Sequence, residues 1–295
     1  MTADAPQRID PPACYVCGAA ETRLHGVVNG FPIRDCPTCA LRWVAGDLSG
    51  LDLAAFYNDG YYRSDGSLGA MGYRDYAADE QNHRQNARRI IRCVARRARI
   101  EGAKALYVGC GFGFLLDELR RGHGCRCTGL ELSPCAAEYV REKLGLDVRK
   151  APTPAGLAPD SFDLAFLIGT IEHLTDPRAM LRDIGTVLKP GGLLTITTLD
   201  IRGPLRLYAL KPPEHLFYFS RGNLRRLLAQ TGFRTVSCVP RLACYSLHDL
   251  LHRLAEFFSV PLLGRLGRLA AKWTPGLNLL IPTNEMLLVA EKAGS

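Results

Sequence analysis

Leu106-Tyr107-Val108-Gly109-Cys110-Gly111-Phe112-Gly113 is a hydrophobic run that breaks into glycines at alternate positions and then passes into Phe114-Leu115-Leu116-Asp117-Glu118-Leu119. The first part has the pattern of a buried strand and the second the spacing of a helix. Glycine between them lets the chain turn sharply, and the helix N-terminus behind the turn presents unpaired N–H groups to an approaching ligand. A turn of this kind belongs at the carboxyl edge of an open α/β sheet. A dinucleotide fingerprint would place its third glycine at 114, where this chain has Phe114,.

The resulting GxGxG spacing favours S-adenosylmethionine over NAD. Further on, Cys127-Thr128-Gly129-Leu130-Glu131-Leu132-Ser133-Pro134 reads as a second strand ending in an acid, followed by an N-cap serine with proline in the first helical turn,. A carboxylate at that strand tip is placed to accept the hydroxyls of a ribose. Then come Ser161-Phe162-Asp163-Leu164-Ala165-Phe166-Leu167-Ile168, Gly169-Thr170-Ile171-Glu172-His173-Leu174, Asp176-Pro177 and the turn Lys189-Pro190-Gly191-Gly192.

In order and spacing this series, over about residues 80–233, resembles the class I S-adenosylmethionine-dependent methyltransferases, in particular the branch acting on small molecules and sugars. The resemblance implies a doubly wound α/β fold with a mostly parallel seven-stranded sheet. It implies that Gly109, Cys110, Gly111, Phe112 and Gly113 wrap the methionine portion of the cofactor, that Glu131 holds the ribose, that Leu132 packs on adenine, and that Tyr107 and Gly169 border the cofactor. Tyr107 is a departure, because the family usually carries an acid there. Ala151-Pro152-Thr153 stand where a second acid often meets the adenine.

The N-terminus carries Cys14-x-x-Cys17 and Cys36-x-x-Cys39, two knuckles at the spacing of a zinc ribbon. Four thiolates suit tetrahedral Zn²⁺ in a structural role, with no open position for water. The other cysteines form no framework of a small secreted domain, and with no signal peptide in view the expected compartment is the reducing cytoplasm. Residues 1–49 are expected to form the zinc module, 50–79 a linker or lid, and 80–295 the cofactor domain with a helical insert at 245–275. Within the linker, Tyr57, Tyr61 and Tyr62 are candidates for an aromatic wall or for packing between module and core. Net charge is +8, with arginines clustered at Arg84, Arg88, Arg89, Arg92, Arg96, Arg97 and Arg99. Ile90, Ile91, Val94 and Ala98 give that helix an apolar stripe, so the arginines read first as its solvated face and second as an attraction for an acidic substrate or nucleic acid.

His215, in Pro212-Pro213-Glu214-His215-Leu216-Phe217-Tyr218-Phe219-Ser220, is the leading candidate for general base, in a loop after the fifth strand and titrating near neutrality. The loop is similar to the His-Leu-x-x-Phe-Ser segment of small-molecule and sugar methyltransferases. Glu172 and His173 are the next candidates, to orient the loop beside the methyl group. Some relatives bind a divalent metal through ExxEH and a distant histidine; here Gly169 replaces the first acid, which leaves Glu172, His173 and His215 as an incomplete set. Segment 247–273 reads as amphipathic helices that either cover the substrate cleft as a lid or rest on a membrane or lipid-linked substrate. The leading function is methylation of a small-molecule or sugar acceptor at oxygen or carbon. The alternatives are an RNA methyltransferase or nucleic-acid binder, and a cofactor-binding protein without transferase activity.

Overall fold

Asn29-Gly30 close a hairpin near the N-terminus with both residues in the left-handed region (φ 50° and 80°), as a two-residue type I′ turn requires,. The hairpin joins β1 (Arg23–Val28) to β2 (Phe31–Asp35), and β3 (Arg42–Val44) adds antiparallel to β2. The structure, a computed structural model, describes residues 13–46, 48, 51, 62, 76, 79–203, 210–258, 260–273 and 277–294. Tyr57 and Tyr61 lie outside the described residues.

Helix α1 (Glu80–Ala95) buries Ala87, Ile90, Ile91 and Val94 on one stripe and leads to β4 (Lys104–Val108). There follow α2 (Phe114–His123), β5 (Arg126–Leu130), α3 (Pro134–Tyr139) with a π turn over Val140–Leu144, and β6 (Asp147–Arg149). The chain then returns through β7 (Phe162–Ile168), a 3₁₀ turn Ile171–His173, α4 (Pro177–Val187) and β8 (Leu188–Leu199). The last elements are β9 (Phe217–Tyr218), α5 (Arg221–Gln230), β10 (Phe233–Ser246), α6 (Leu247–Phe258), α7 (Pro261–Trp273) and β11 (Asn278–Lys292).

Seven strands form one sheet in the order β10-β11-β8-β7-β4-β5-β6. Strands β4 to β8 pair in parallel, and β11 runs antiparallel to both β8 and β10. The order reverses between β4 and β7, which opens a crevice at their carboxyl ends. Alternation along β4 divides the core in two. Leu106 and Val108 face α4 and α5, while Ala105 and Tyr107 face α1 and α2, giving helices on both faces of the sheet.

Local chemistry sets the helix starts. Ser133 accepts from Ala136 N–H, Asp176 from Ala179 N–H, and Ser220 forms a reciprocal capping box with Asn223,. The closing strands are long, because residues 242–246 and 278–282 continue to pair past the edge of the main sheet. One element differs from the sequence expectation. Residues 189–192 do not end an element but bulge out of β8, whose register against β7 jumps from Phe162↔Leu188 to Leu164↔Leu193,.

A second sheet, β1-β2-β3-β9, joins the N-terminal module to the cofactor domain. Strand β9 pairs with β3 through Arg42↔Tyr218 and Trp43↔Phe217. Val16, Ile33, Leu41 and Trp43 share one buried cluster with Leu181, Leu216 and Leu224. The arginines of α1 and of the turn after it are partly engaged: Arg84 binds the buried Asp117 at 2.8 Å, Arg88 binds Glu118 at 2.6 Å, and Arg97, just past the helix end, donates to Ser237 at 2.7 Å. The solvated-face reading of α1 therefore needs a qualification, since several of its cations tie it to α2 and β10.

At Gly129 in β5 an added Cβ would stand 2.7 Å from Cys110 Sγ and 3.2 Å from Leu116 Cδ1. Gly129→Ala is therefore expected to cost about 1–3 kcal/mol. In a double-mutant cycle read by thermal denaturation, Cys110→Ala should recover part of that loss; strictly additive costs would show that the sulfur is not the obstacle.

Candidate active site

Gly109, Gly111 and Gly113 all hold positive φ, at 72°, 52° and 72°, so the alternate glycines are required by the backbone path. The turn is pinned to β5 by Gly109 and Cys110 N–H donating to Leu130 C=O at 2.8 and 3.0 Å. It is pinned a second time by Glu131. Gly111 N–H donates to Glu131 Oε2 at 2.7 Å and Ser133 N–H to Oε1 at 2.9 Å. Burial is the largest influence on this carboxyl and raises its pKa, against the lowering effect of those backbone donors and of the Tyr62 hydroxyl,.

Beside the turn lies a cavity of about 270 Å³ whose walls include Tyr62, Tyr107, Glu131, Leu132, Thr170 and His173. Its mouth carries an aromatic cluster: Tyr62 meets Tyr76 edge-on at 5.6 Å and Phe112 at 5.3 Å, and Tyr76 stacks on His83 at 3.8 Å. Tyr62 thus belongs to the wall of the site. Tyr76 and His83 were not singled out by the sequence, where they lie in no motif. Tyr107 fills the place of the missing acid, its hydroxyl donating to Ile168 C=O at 3.5 Å. Ala151, Pro152 and Thr153 also line the cavity, as do Gly109, Gly111 and Gly169.

Three residues of the expected cofactor set stand apart from the cavity. Cys110 is buried beneath the turn against Gly129, Phe112 belongs to the aromatic cluster, and Gly113 is the N-cap of α2, with an added Cβ 2.9 Å from Val140 Cγ2. None of the three is on the cavity wall. Cys110 and Phe112 alternate with the cavity-lining Gly109 and Gly111, whereas Gly113 already belongs to the start of α2.

The titratable cluster differs from expectation in the same way. His173, not His215, is on the cavity wall. The two rings are edge-to-face with centroids 4.8 Å apart. His173 Nδ1–H donates to Glu214 C=O at 2.6 Å; a carbonyl only accepts, so the neutral ring carries its lone pair on Nε2. Burial lowers the pKa of His173, and burial together with the charges of His173 and Lys211 drives His215 well below the ordinary imidazole value. The expectation of a near-neutral titration at His215 is thereby corrected. Glu172 is buried and pushed up to about 8 by desolvation, with Oε2 lacking a hydrogen-bond partner, as does His215 Nδ1. One potential ligand atom from each of Glu172, His173 and His215 lies within 4.8 Å of the others. Segment 247–273 contributes no residue to the cavity wall among the described residues.

The four N-terminal cysteines also converge, with all their sulfurs within 4.8 Å of one another. Cys14 Sγ is 3.5 Å from Cys39 Sγ, and Cys17 Sγ is 3.4 Å from Cys36 Sγ. Burial pushes the Cys14 thiol up to about 11. At Cys36 burial also pushes upward, but hydrogen bonds from the Cys39 backbone and the neighbouring thiols bring it down to about 7.

A glycine turn at the switch point of a parallel sheet, bracketed by a buried acid one strand over, defines an α/β protein built for an adenosyl ligand. Comparison with known proteins narrows this class. The methyltransferase domain family matches residues 78–238, more than half of the chain. A ubiquinone biosynthesis O-methyltransferase from Thiobacillus denitrificans is 30% identical over 164 residues, covering 49% of this chain and 70% of that protein. Its namesake from Xanthomonas campestris is 33% identical over 114 residues, covering 36% of this chain and 47% of the other, so the chain spans about half the length of such curated relatives. The [4+2]-cyclase SpnF shares the fold, with a TM-score of 0.50 at 18% identity over 80% of this chain and 87% of that one. The chain belongs to the methyltransferase domain family, among the class I S-adenosylmethionine-dependent methyltransferases.

Because Glu131 grips two backbone N–H groups as well as facing the cavity, its loss reaches further than the ribose. Glu131→Ala is expected to lower the melting temperature and S-adenosylmethionine affinity together, each at about 1.5–3 kcal/mol for bonds to a charged group. Calorimetry and thermal melting would check this; unchanged stability with lost binding would mean that the turn holds its shape without the carboxylate.

Proposed function

We propose that the protein transfers the methyl group of S-adenosylmethionine to a hydroxyl oxygen of a small acceptor, ahead of a carbon. Support for oxygen comes from the O-methyltransferase names of the relatives, and support for a small acceptor from the modest cavity. The residues present fit the cofactor: the Gly111 and Ser133 N–H groups hold Glu131 on the cavity wall, and a ribose hydroxyl would take the place that the Tyr62 hydroxyl occupies on it,. Leu132 offers an apolar edge for the adenine and the Gly109–Gly111 backbone a close approach for the methionine arm. The bound cofactor supplies an activated methyl group on a positively charged sulfur. Alignment and proton removal are left to the chain. Arg84 and Arg88 are committed to Asp117 and Glu118, and the names of the relatives point to no nucleic-acid acceptor, so the RNA reading is not favoured.

The observation that carries the mechanism is His173 on the cavity wall with Glu172 and His215 behind it. With Nδ1 held by Glu214 C=O and the Gly169 backbone bonded to the ring as well, His173 is fixed on the cavity wall, where it would take the acceptor's proton once the acceptor replaces the Gly169 contact,. His215, at 4.8 Å, is a positioning residue that keeps a charged group away from the back of that ring. A lowered imidazole pKa means that the base stays neutral, and therefore active, at pH values below the usual histidine range; activity is lost only on further acidification. His173→Asn should reduce turnover by roughly 10²–10⁴-fold while leaving cofactor affinity within a few-fold, and His215→Asn should cost less. The expected acid limb of the wild-type pH profile lies below 6.5. Labelled methyl incorporation into polyphenols, nucleotide sugars and bulk RNA would read both the acceptor class and these variants; His173→Asn at wild-type rate would defeat the assignment. A second reading rests on the unpartnered Glu172 Oε2 and His215 Nδ1: with His173 they would hold a divalent cation against the acceptor oxygen, and activity restored to dialysed enzyme by Mg²⁺ or Zn²⁺ would favour it.

Cys14, Cys17, Cys36 and Cys39 fit a structural zinc. Sulfur separations of 3.4 and 3.5 Å approach the edge of a tetrahedron with bonds of about 2.3 Å, and the shared charge of four thiolates calls for a soft cation. The described cysteines outside the N-terminal set form no disulfide framework, which fits a reducing, cytoplasmic setting. No helix among the described residues is long and apolar enough to cross a membrane. Metal analysis should give one zinc per chain. Cys36→Ser should lose it, melt lower, and lose turnover as well, because β3 carries β9 and the 215–216 segment; full metal content in the variant would refute the ligand set.

A further inference from the structure

Helix α7 turns its small face inward and its large apolar face outward. Gly264 and Gly267 are buried, and the helix packs on α6. Leu262, Leu266, Leu269 and Trp273 are 60%, 43%, 54% and 73% exposed. At roughly 100° per residue these four fall within about 60° of one another, a continuous stripe along the helix. Exposed Arg265 and Lys272 run along one edge of the stripe, and Lys272 Nζ lies 5.6 Å above the Trp273 ring. Just beyond the helix Leu277 and Leu280 are exposed as well.

This is the reverse of what burial in the chain's own core produces, where leucines turn in. A lid over the cavity would hide the stripe, yet no residue of α6 or α7 lines the cavity wall among the described residues. We propose that α7 seats the protein on an anionic lipid surface, with Leu262, Leu266 and Leu269 entering the headgroup boundary and Trp273 at its level. Charge selects this occupant. The helix sequence, 261–273, contains Arg265, Arg268 and Lys272 and no acid, on a chain of net charge +8, so an acidic surface complements it along its whole length. A second copy of α7 would set the same cations against each other with no carboxylate between them.

The test uses the full chain with phosphatidylcholine vesicles, with and without phosphatidylglycerol. Of the two tryptophans, Trp43 is buried, so quenching by brominated acyl chains reports on Trp273. Sedimentation with the anionic vesicles, weakened by salt, and quenching of the exposed tryptophan are expected. Leu266→Glu with Leu269→Glu should weaken partitioning by at least roughly tenfold, and Arg265→Glu with Lys272→Glu by roughly fivefold or more per charge on the anionic vesicles alone. Both variants alter exposed positions and should melt as the wild type does. Absence of vesicle binding at low salt, or binding that both variants keep, would overturn the proposal. So would a dimer in sedimentation equilibrium, without vesicles, that the glutamate pair dissolves.

Discussion

Two backbone hydrogen bonds at Leu216 tie the N-terminal module to the Glu172–His173 turn beside the cavity. Val44 N–H donates to Leu216 C=O and Leu216 N–H donates to Glu172 C=O, each at 2.8 Å. One peptide unit on either side therefore separates the cysteine module from the Glu172–His173 turn. Around it, Asn223 donates to Cys39 C=O, Gln230 to Val16 C=O, and Tyr15 to Asp176 at the start of α4. Leu216 itself is fully buried, so these bonds are shielded from water and costly to leave unmade. The module is part of the wall that fixes where the histidines stand.

Burial acts on two acids in the site with different outcomes. Glu131 loses solvation but gains two backbone donors at 2.7 and 2.9 Å, which suits an ionised acceptor of hydroxyls. Glu172 is as deeply placed, with Oε2 unpartnered, and is pushed up to about 8. Desolvation raises both carboxyls, and the Gly111 and Ser133 donors at Glu131 oppose it where Glu172 Oε2 has no partner,. The imidazoles beside Glu172 respond in the opposite direction, because for them the charged form is the protonated one. A low-dielectric cluster with a protonated acid and neutral histidines suits proton transfer from a hydroxyl better than stable charge would.

The fold was legible because its signals are local. GxGxG, the acid at 131, the N-caps Ser133, Asp176 and Ser220, and the apolar strands each act within a few residues, and their order along the chain sets the parallel sheet. The two CxxC pairs were legible for the same reason, since each knuckle is a local turn. Sequence grouped Gly109, Gly111, Glu131 and His173, which line the cavity, with Cys110, Phe112 and Gly113, which do not, because which side of a turn a residue faces depends on the strand behind it. Gly129 is needed only because Cys110 of another segment occupies its Cβ space.

What the sequence determined by itself was the class of fold, the glycine turn with its acid one strand over, and the two cysteine pairs that converge. What only the tertiary structure decided was which histidine meets the cavity, that Tyr76 and His83 join Tyr62 at its mouth, that β9 binds the module to the site, and that α7 faces outward. These are relations between segments distant in the chain, fixed by burial and by hydrogen bonds across sheets. Hydrophobic periodicity reports that a helix has an apolar face, but packing decides whether that face finds a partner.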